Sequence, residues 1–190
     1  MRRALTLSLL ILPLLAAPPT RADEIGDAIG EAARAYQAGD LPAARSALEE
    51  ALQFLAQRGA DRLARALPAP LAGWKAEDAE ANTAGAALLG GGSQASRRYE
   101  NAQGQTVQIE VTADSPMIAQ IATLMNTPAL VGSMGRLIRI GSQRAIQTSD
   151  NNIQMVVENR ILVSIVGDAP VDAKLAYARA IDMAKLTARQ

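Results

Sequence analysis

Acid–base chemistry in this chain would fall to four carboxylates, Glu110, Asp114, Glu158 and Asp168, because the 190 residues include neither histidine nor cysteine. That absence removes the usual zinc, haem and iron–sulfur ligand sets, any disulfide, and every Ser-His-Asp or Cys-His nucleophile. A pair of carboxylates is still enough for glycoside hydrolysis. Glu110 falls on the polar parity of its strand and the other three near strand ends, but no spacing brings two of them together. Three tyrosines, one phenylalanine and one tryptophan leave few rings on which a sugar would stack. A carboxylate-only hydrolase, with Glu110 as its essential residue, is therefore the weakest of three readings.

Other chemistry is equally thin. Arginine outnumbers lysine 16 to 3, and guanidinium groups bind anions bidentately. Arg97-Arg98 and Arg136-x-x-Arg139 are the candidates. On a strand, neighbours one or three apart point to opposite faces, so neither pair makes a clamp. Thioethers alone can hold Cu(I), but Met117, Met125, Met134, Met155 and Met183 are widely spaced, and three of them fall on apolar stripes. Gly90-Gly91-Gly92 has no following Gly-Lys-Ser/Thr, so it reads as a bend or a close backbone approach and not as a phosphate loop. The expectation is a non-enzyme with no cofactor and no metal.

Composition agrees with a folded, non-nucleic-acid-binding protein. The chain is 49% hydrophobic and 20% charged, with 19 basic residues against 19 acidic. Nucleic-acid binders normally carry a basic excess. Residues 1–22 begin Met-Arg-Arg, continue as an apolar run over 4–17, and end in small residues before Asp23, the pattern of a secretory signal peptide. The run is broken by Pro13 and is too short to span a bilayer, so no membrane span is expected after cleavage. Losing Arg2, Arg3 and Arg21 leaves 16 basic residues against 19 acidic, a net charge of −3 over 168 residues. The predicted location is outside the cytoplasm, periplasmic or secreted.

The positioning elements follow from periodicity. Asp23 can cap a helix whose apolar residues are Ile25, Ile29, Ala32, Ala33 and Tyr36. Gly39 stops it, and Asp40 caps a second helix with Pro42 in its first turn. That helix carries Leu48, Ala51, Leu52 and Leu55 on one stripe and runs on toward Leu67, where Pro68 and Pro70 end it. Residues 23–67 are thus an antiparallel helical hairpin, and 68–92 a connector containing Trp74.

From residue 93 the period changes to two. Val107, Ile109 and Val111 alternate with Gln108, Glu110 and Thr112 opposite a strand at 94–100. Ser115 and Pro116 open a helix bearing Met117, Ile118, Ile121, Leu124 and Met125, which Pro128 closes; Gly132 and Gly135 make the next loop flexible. Further strands are predicted at 136–140, 143–149, 153–158 and 160–166. A single closing helix at 171–188 buries Ala173, Tyr177, Ala180, Ile181 and Ala184, with Asp182 on its exposed side near Arg179 and Lys185. The expected fold class is α+β: the hairpin, then at 93–190 a mainly antiparallel sheet of about five to six strands with a mid-chain and a C-terminal helix.

Ala35-Tyr36-Gln37-Ala38-Gly39-Asp40, followed by Ala44, Leu48 and Ala51, resembles one tetratricopeptide repeat. Ala28 stands where that family has a large aromatic, and no second copy occurs, so the function of repeat arrays does not carry over. The stretches from Leu67 to Trp74, Leu89 to Ser93 and Ala180 to Asp182 look similar to uncharacterised exported proteobacterial proteins. A sheet closed by a C-terminal helix is similar to the PsbP-like fold. These resemblances imply an exported bacterial accessory protein and supply no reaction. The leading expectation is an interaction module that binds an unidentified envelope protein through Tyr36, Asp40, Arg45 and Leu48. The alternative is a periplasmic protein holding a small apolar ligand or lipid between the sheet and the helix over 117–125.

Overall fold

In the computed structural model the described residues are 23–82, 91–125, 127, 132 and 134–188. The leader, Leu89, Gly90 and Pro128 lie outside them. Two helices, α1 (Glu24–Gln37) and α2 (Leu41–Ala66), come first. Eight strands follow: β1 (Trp74–Ala76), β2 (Glu80–Asn82), β3 (Ser93–Asn101), β4 (Thr106–Ala113), β5 (Gly135–Ile140), β6 (Gln143–Thr148), β7 (Ile153–Val157) and β8 (Ile161–Val166). Helix α3 (Pro116–Met125) interrupts the strands, and α4 (Val171–Ala180) and α5 (Met183–Thr187) close the chain.

The sheet order is β1-β3-β4-β8-β7-β6-β5, with β2 also pairing with β3, and every pairing is antiparallel. The chain makes the β3–β4 hairpin, crosses by α3 to the far edge, and returns through β5, β6, β7 and β8 until β8 meets β4. Eight strands replace the expected five to six. The two extra, β1 and β2, lie inside the supposed connector. Each has three residues, too few for alternation to register as a pattern, and each is held by pairing to β3.

Register places the apolar parity on one face. Ala95, Val111, Val163, Met155 and Ala145 form one row across the sheet, and Ile109, Ile165 and Ile153 lie in the next. All eight are fully buried. The end of α2 (Leu63, Ala66, Leu67) and Tyr177, Ala178, Ile181 and Leu186 pack into the same core. Trp74 meets the Tyr177 ring edge-on and Tyr99 lies tilted against it, with ring centroids 5.4 and 4.3 Å apart. Tyr99 donates its hydroxyl to the Pro68 carbonyl (2.8 Å), and Leu71 N donates to the Tyr177 hydroxyl (3.3 Å). Burial among these rings pushes both phenols above their ordinary range.

The other face is polar at its centre, where Ser96, Glu110, Ser164 and Gln154 lie in one row, and apolar farther along, at Ile146 and Leu137. Helix α3 covers this apolar end with Met125 against Ile146, joined by Ile121, Met134 and Val156. Its start follows the predicted chemistry: Ser115 Oγ accepts from Met117 N at 3.2 Å. Gly135 is the first residue of β5 and no part of a loop; a side chain there would strike the Gln147 backbone.

The closing helix is two helices. Ile181 is extended (φ −65°, ψ 126°), and Asp182 starts α5 by accepting from Lys185 N at 3.0 Å. Asp182 also pairs with Lys185 Nζ at 3.4 Å, so it is both the cap of α5 and one half of an ion pair. The break lets Ile181 and Leu186 both reach the core while Ala184 stays exposed.

Candidate functional site

A three-residue turn joins α1 to α2. Gly39 has φ +78°, and two hydrogen bonds, Gly39 N to Tyr36 O and Asp40 N to Ala35 O (both 3.0 Å), close α1 as a Schellman motif. Asp40 Oδ1 then accepts from Ala43 N at 3.0 Å and caps α2. Asp40 therefore belongs to both helices: its amide ends one and its carboxylate starts the other.

The two helices meet through alanine. Ala28 and Ala32 of α1 and Ala44, Ala47 and Ala51 of α2 are buried, together with Ile25. Small side chains allow a close crossing, and none of these residues joins the central core. At 1.5 Å per residue, α1 is about 21 Å long and α2 about 39 Å. The first half of α2 therefore carries α1, while its second half packs on β3. Gly59 marks the junction, since a Cβ there would meet Ser93 Oγ and Cβ.

This packing turns the large side chains outward. Ile29, Tyr36, Leu41, Leu48, Leu52 and Leu55 are between 48% and 70% exposed. On α2 the leucines recur at intervals of seven, four and three, which puts all four on one stripe. Sequence periodicity placed Leu48, Leu52 and Leu55 with Ala51 on one packing stripe, and Ile29 and Tyr36 among the packed positions of α1. The structure separates them, with alanine inside and leucine outside. The available signal was the matched alanine sets on both helices, at three- and four-residue spacing.

Of the four residues predicted for partner binding, Tyr36 and Leu48 are exposed apolar groups and Asp40 is the cap. Arg45 donates Nε to Glu49 Oε1 at 2.9 Å, one turn along, and this carboxylate raises the guanidinium further above its ordinary value. Both partners are solvated, so the pair contributes little to stability. Leu41, Leu52, Leu55 and Ile29 complete the surface.

The remaining candidates have structural partners. Asp114 and Glu158 do converge, but on Arg160, at 3.1 and 3.3 Å. Glu110 accepts from Gln94 Nε2 at 2.7 Å. Asp168 accepts from the amide and hydroxyl of Thr106 at 2.6 and 2.7 Å, and these bonds hold its carboxyl below the usual range. Among the described residues, no group of three or more acidic side chains is arranged to hold a metal ion. Arg97 donates to the Glu77 and Pro68 carbonyls, while Arg98 takes the opposite parity of β3. Between α3 and the sheet, the cleft lined by Ala122, Met125, Ile146 and Val156 encloses about 40 Å³. A water molecule fits such a space; drug-sized ligands occupy sites of about 300 Å³ or more.

No protein family, curated protein or solved structure matches this chain. Its own residues must carry the functional argument.

Proposed function

We propose that this protein is an exported, non-catalytic accessory protein that docks another protein of the bacterial envelope through the outward stripe of α2. One observation carries the reading: Leu41, Leu48, Leu52 and Leu55 lie on a single helical face and stay half-exposed. Isolated exposed apolar residues are ordinary, but a contiguous set on one helix is the anchor pattern by which helices seat in grooves. Tyr36 and Ile29 on α1 extend the surface. Export rests on the leader pattern of residues 1–22.

The supporting chemistry is steric. Alanine at the α1–α2 crossing leaves leucine no inward position, so the apolar face persists whether or not a partner is present. Deleting 23–67 would be a poor test, because Leu63, Ala66 and Leu67 belong to the central core. The decisive comparison is affinity purification, with mild cross-linking, of the native chain beside a Leu48→Gln/Leu52→Gln variant. A specific protein captured by the first and lost by the second supports docking. Capture that is unchanged by the substitutions sinks it.

A further inference from the structure

The opposite edge of the sheet carries a different surface. From Ser115 to Gly135 the chain has no charged residue, while Asp114 and Arg136 bound the stretch. Within it, α3 exposes Met117 and Leu124, with Ile121 partly exposed between them, at the i, i+4, i+7 spacing of one stripe. Leu137 on β5 is 47% exposed. Ala122, Met125, Leu137 and Arg144 line one small cleft, which makes the helix and the strand edge a continuous surface.

Two arginines border that surface. Arg139 of β5 lies directly opposite Arg144 of β6 in the antiparallel register. Both are exposed, and neither has a hydrogen-bond or ion-pair partner among the described residues. Like charges directly opposed across strands are destabilising, and no neighbouring carboxylate offsets them, although the chain outside the leader is net acidic. An unpaired dicationic site beside an uncharged apolar helix is complementary to a surface with anionic groups above hydrocarbon.

We infer that the α3–β5 edge seats on an anionic phospholipid surface, with Met117 and Leu124 entering the headgroup region and Arg139 and Arg144 contacting lipid phosphates. The inference is independent of the leucine stripe. β5 lies five strand spacings from β3, about 24 Å away, so a chain resting on lipid at this edge leaves the hairpin free. No helix among the described residues is long and apolar enough to cross a membrane, and the contact is interfacial.

Co-sedimentation of the purified full chain with phosphatidylcholine vesicles, with and without phosphatidylglycerol, tests it. Binding to the anionic vesicles alone, weakening as salt is raised, is the expected result. Arg139→Gln/Arg144→Gln should lower that affinity on the order of thirtyfold. Met117→Gln/Leu124→Gln should also lower it and keep the native melting temperature, because both side chains are exposed, while removal of the opposed charges should leave Arg139→Gln/Arg144→Gln at least as stable as the native chain. Binding to neither vesicle, or binding indifferent to the arginines, would overturn the inference. So would an acidic protein captured through Arg139 and Arg144 without lipid. Without lipid or protein bound through them, the arginines would simply guard an open sheet edge.

Discussion

Gly59 of α2 sits against Ser93, the first residue of β3, so closely that a methyl group on the glycine would overlap the serine side chain. The contact divides α2 into a half fixed to the sheet and a half that carries α1 and the leucine stripe.

Gly59→Ala should therefore destabilise the protein although alanine is the better helix former. Propensity favours alanine by about 1 kcal/mol, while forcing a group into a filled space costs about 1–3 kcal/mol. In a Ser93→Gly background the same change should become neutral or stabilising. Urea unfolding followed through Trp74 fluorescence reads both, since Trp74 packs edge-on against Tyr177 beside the core.

Exposed leucine and buried alanine should respond in opposite ways. Leu48→Gln and Leu52→Gln should change stability by no more than about 0.5 kcal/mol, as surface substitutions do. Ala47→Gln, at the buried crossing with α1, should cost about 1–3 kcal/mol through overpacking and burial of an amide. Thermal melts of the three variants distinguish this arrangement from one in which the leucines pack inward.

Acid should loosen the junction of β4 and β8. The carboxyl of Asp168 is held below its ordinary value by the bonds from Thr106. Its contribution is therefore complete above the unfolded carboxylate pKa of about 4 and lost as pH falls through the lower folded value. Asp168→Asn should flatten the acid limb of the stability–pH curve.

Lys174 gives the same sign of dependence in the alkaline range. It is buried, with Nζ donating to Asn152 Oδ1 at 3.0 Å, and desolvation lowers its pKa despite Asp168 and Asp150 nearby. A folded value below the ordinary 10.5 means that the unfolded chain binds more protons between the two. Stability should accordingly rise with pH through that alkaline interval. Lys174→Met should abolish the rise, as measured by chemical unfolding at a series of alkaline pH values.

The sequence was legible where local chemistry and tertiary packing agree. Alternation along Val107, Ile109 and Val111, and the Ser115-Pro116 start of α3, each gave the element that forms. β1 and β2 left no trace because three residues cannot display a period and only β3 makes them strands. The break at Ile181 was hidden because Ala180, Ile181 and Ala184 fit a helical stripe; the cap made by Asp182 overrides that pattern and turns Leu186 into the core. The hairpin surface was half legible. Tyr36 and Leu48 could be singled out from their spacing about the Gly39-Asp40 turn, but hydrophobicity alone assigns leucine inward. Only the closeness of the α1–α2 crossing selects alanine instead, and closeness is a tertiary property.

The leucine stripe is tested most directly by placing a photoreactive benzoyl-phenylalanine at Leu48 or Leu52 in cells, with Gln103 in the exposed β3–β4 turn as control. Illumination should join one envelope protein to both stripe positions and not to Gln103. A correctly folded chain that yields no protein adduct from either leucine, or the same adducts from Gln103, would contradict the docking role.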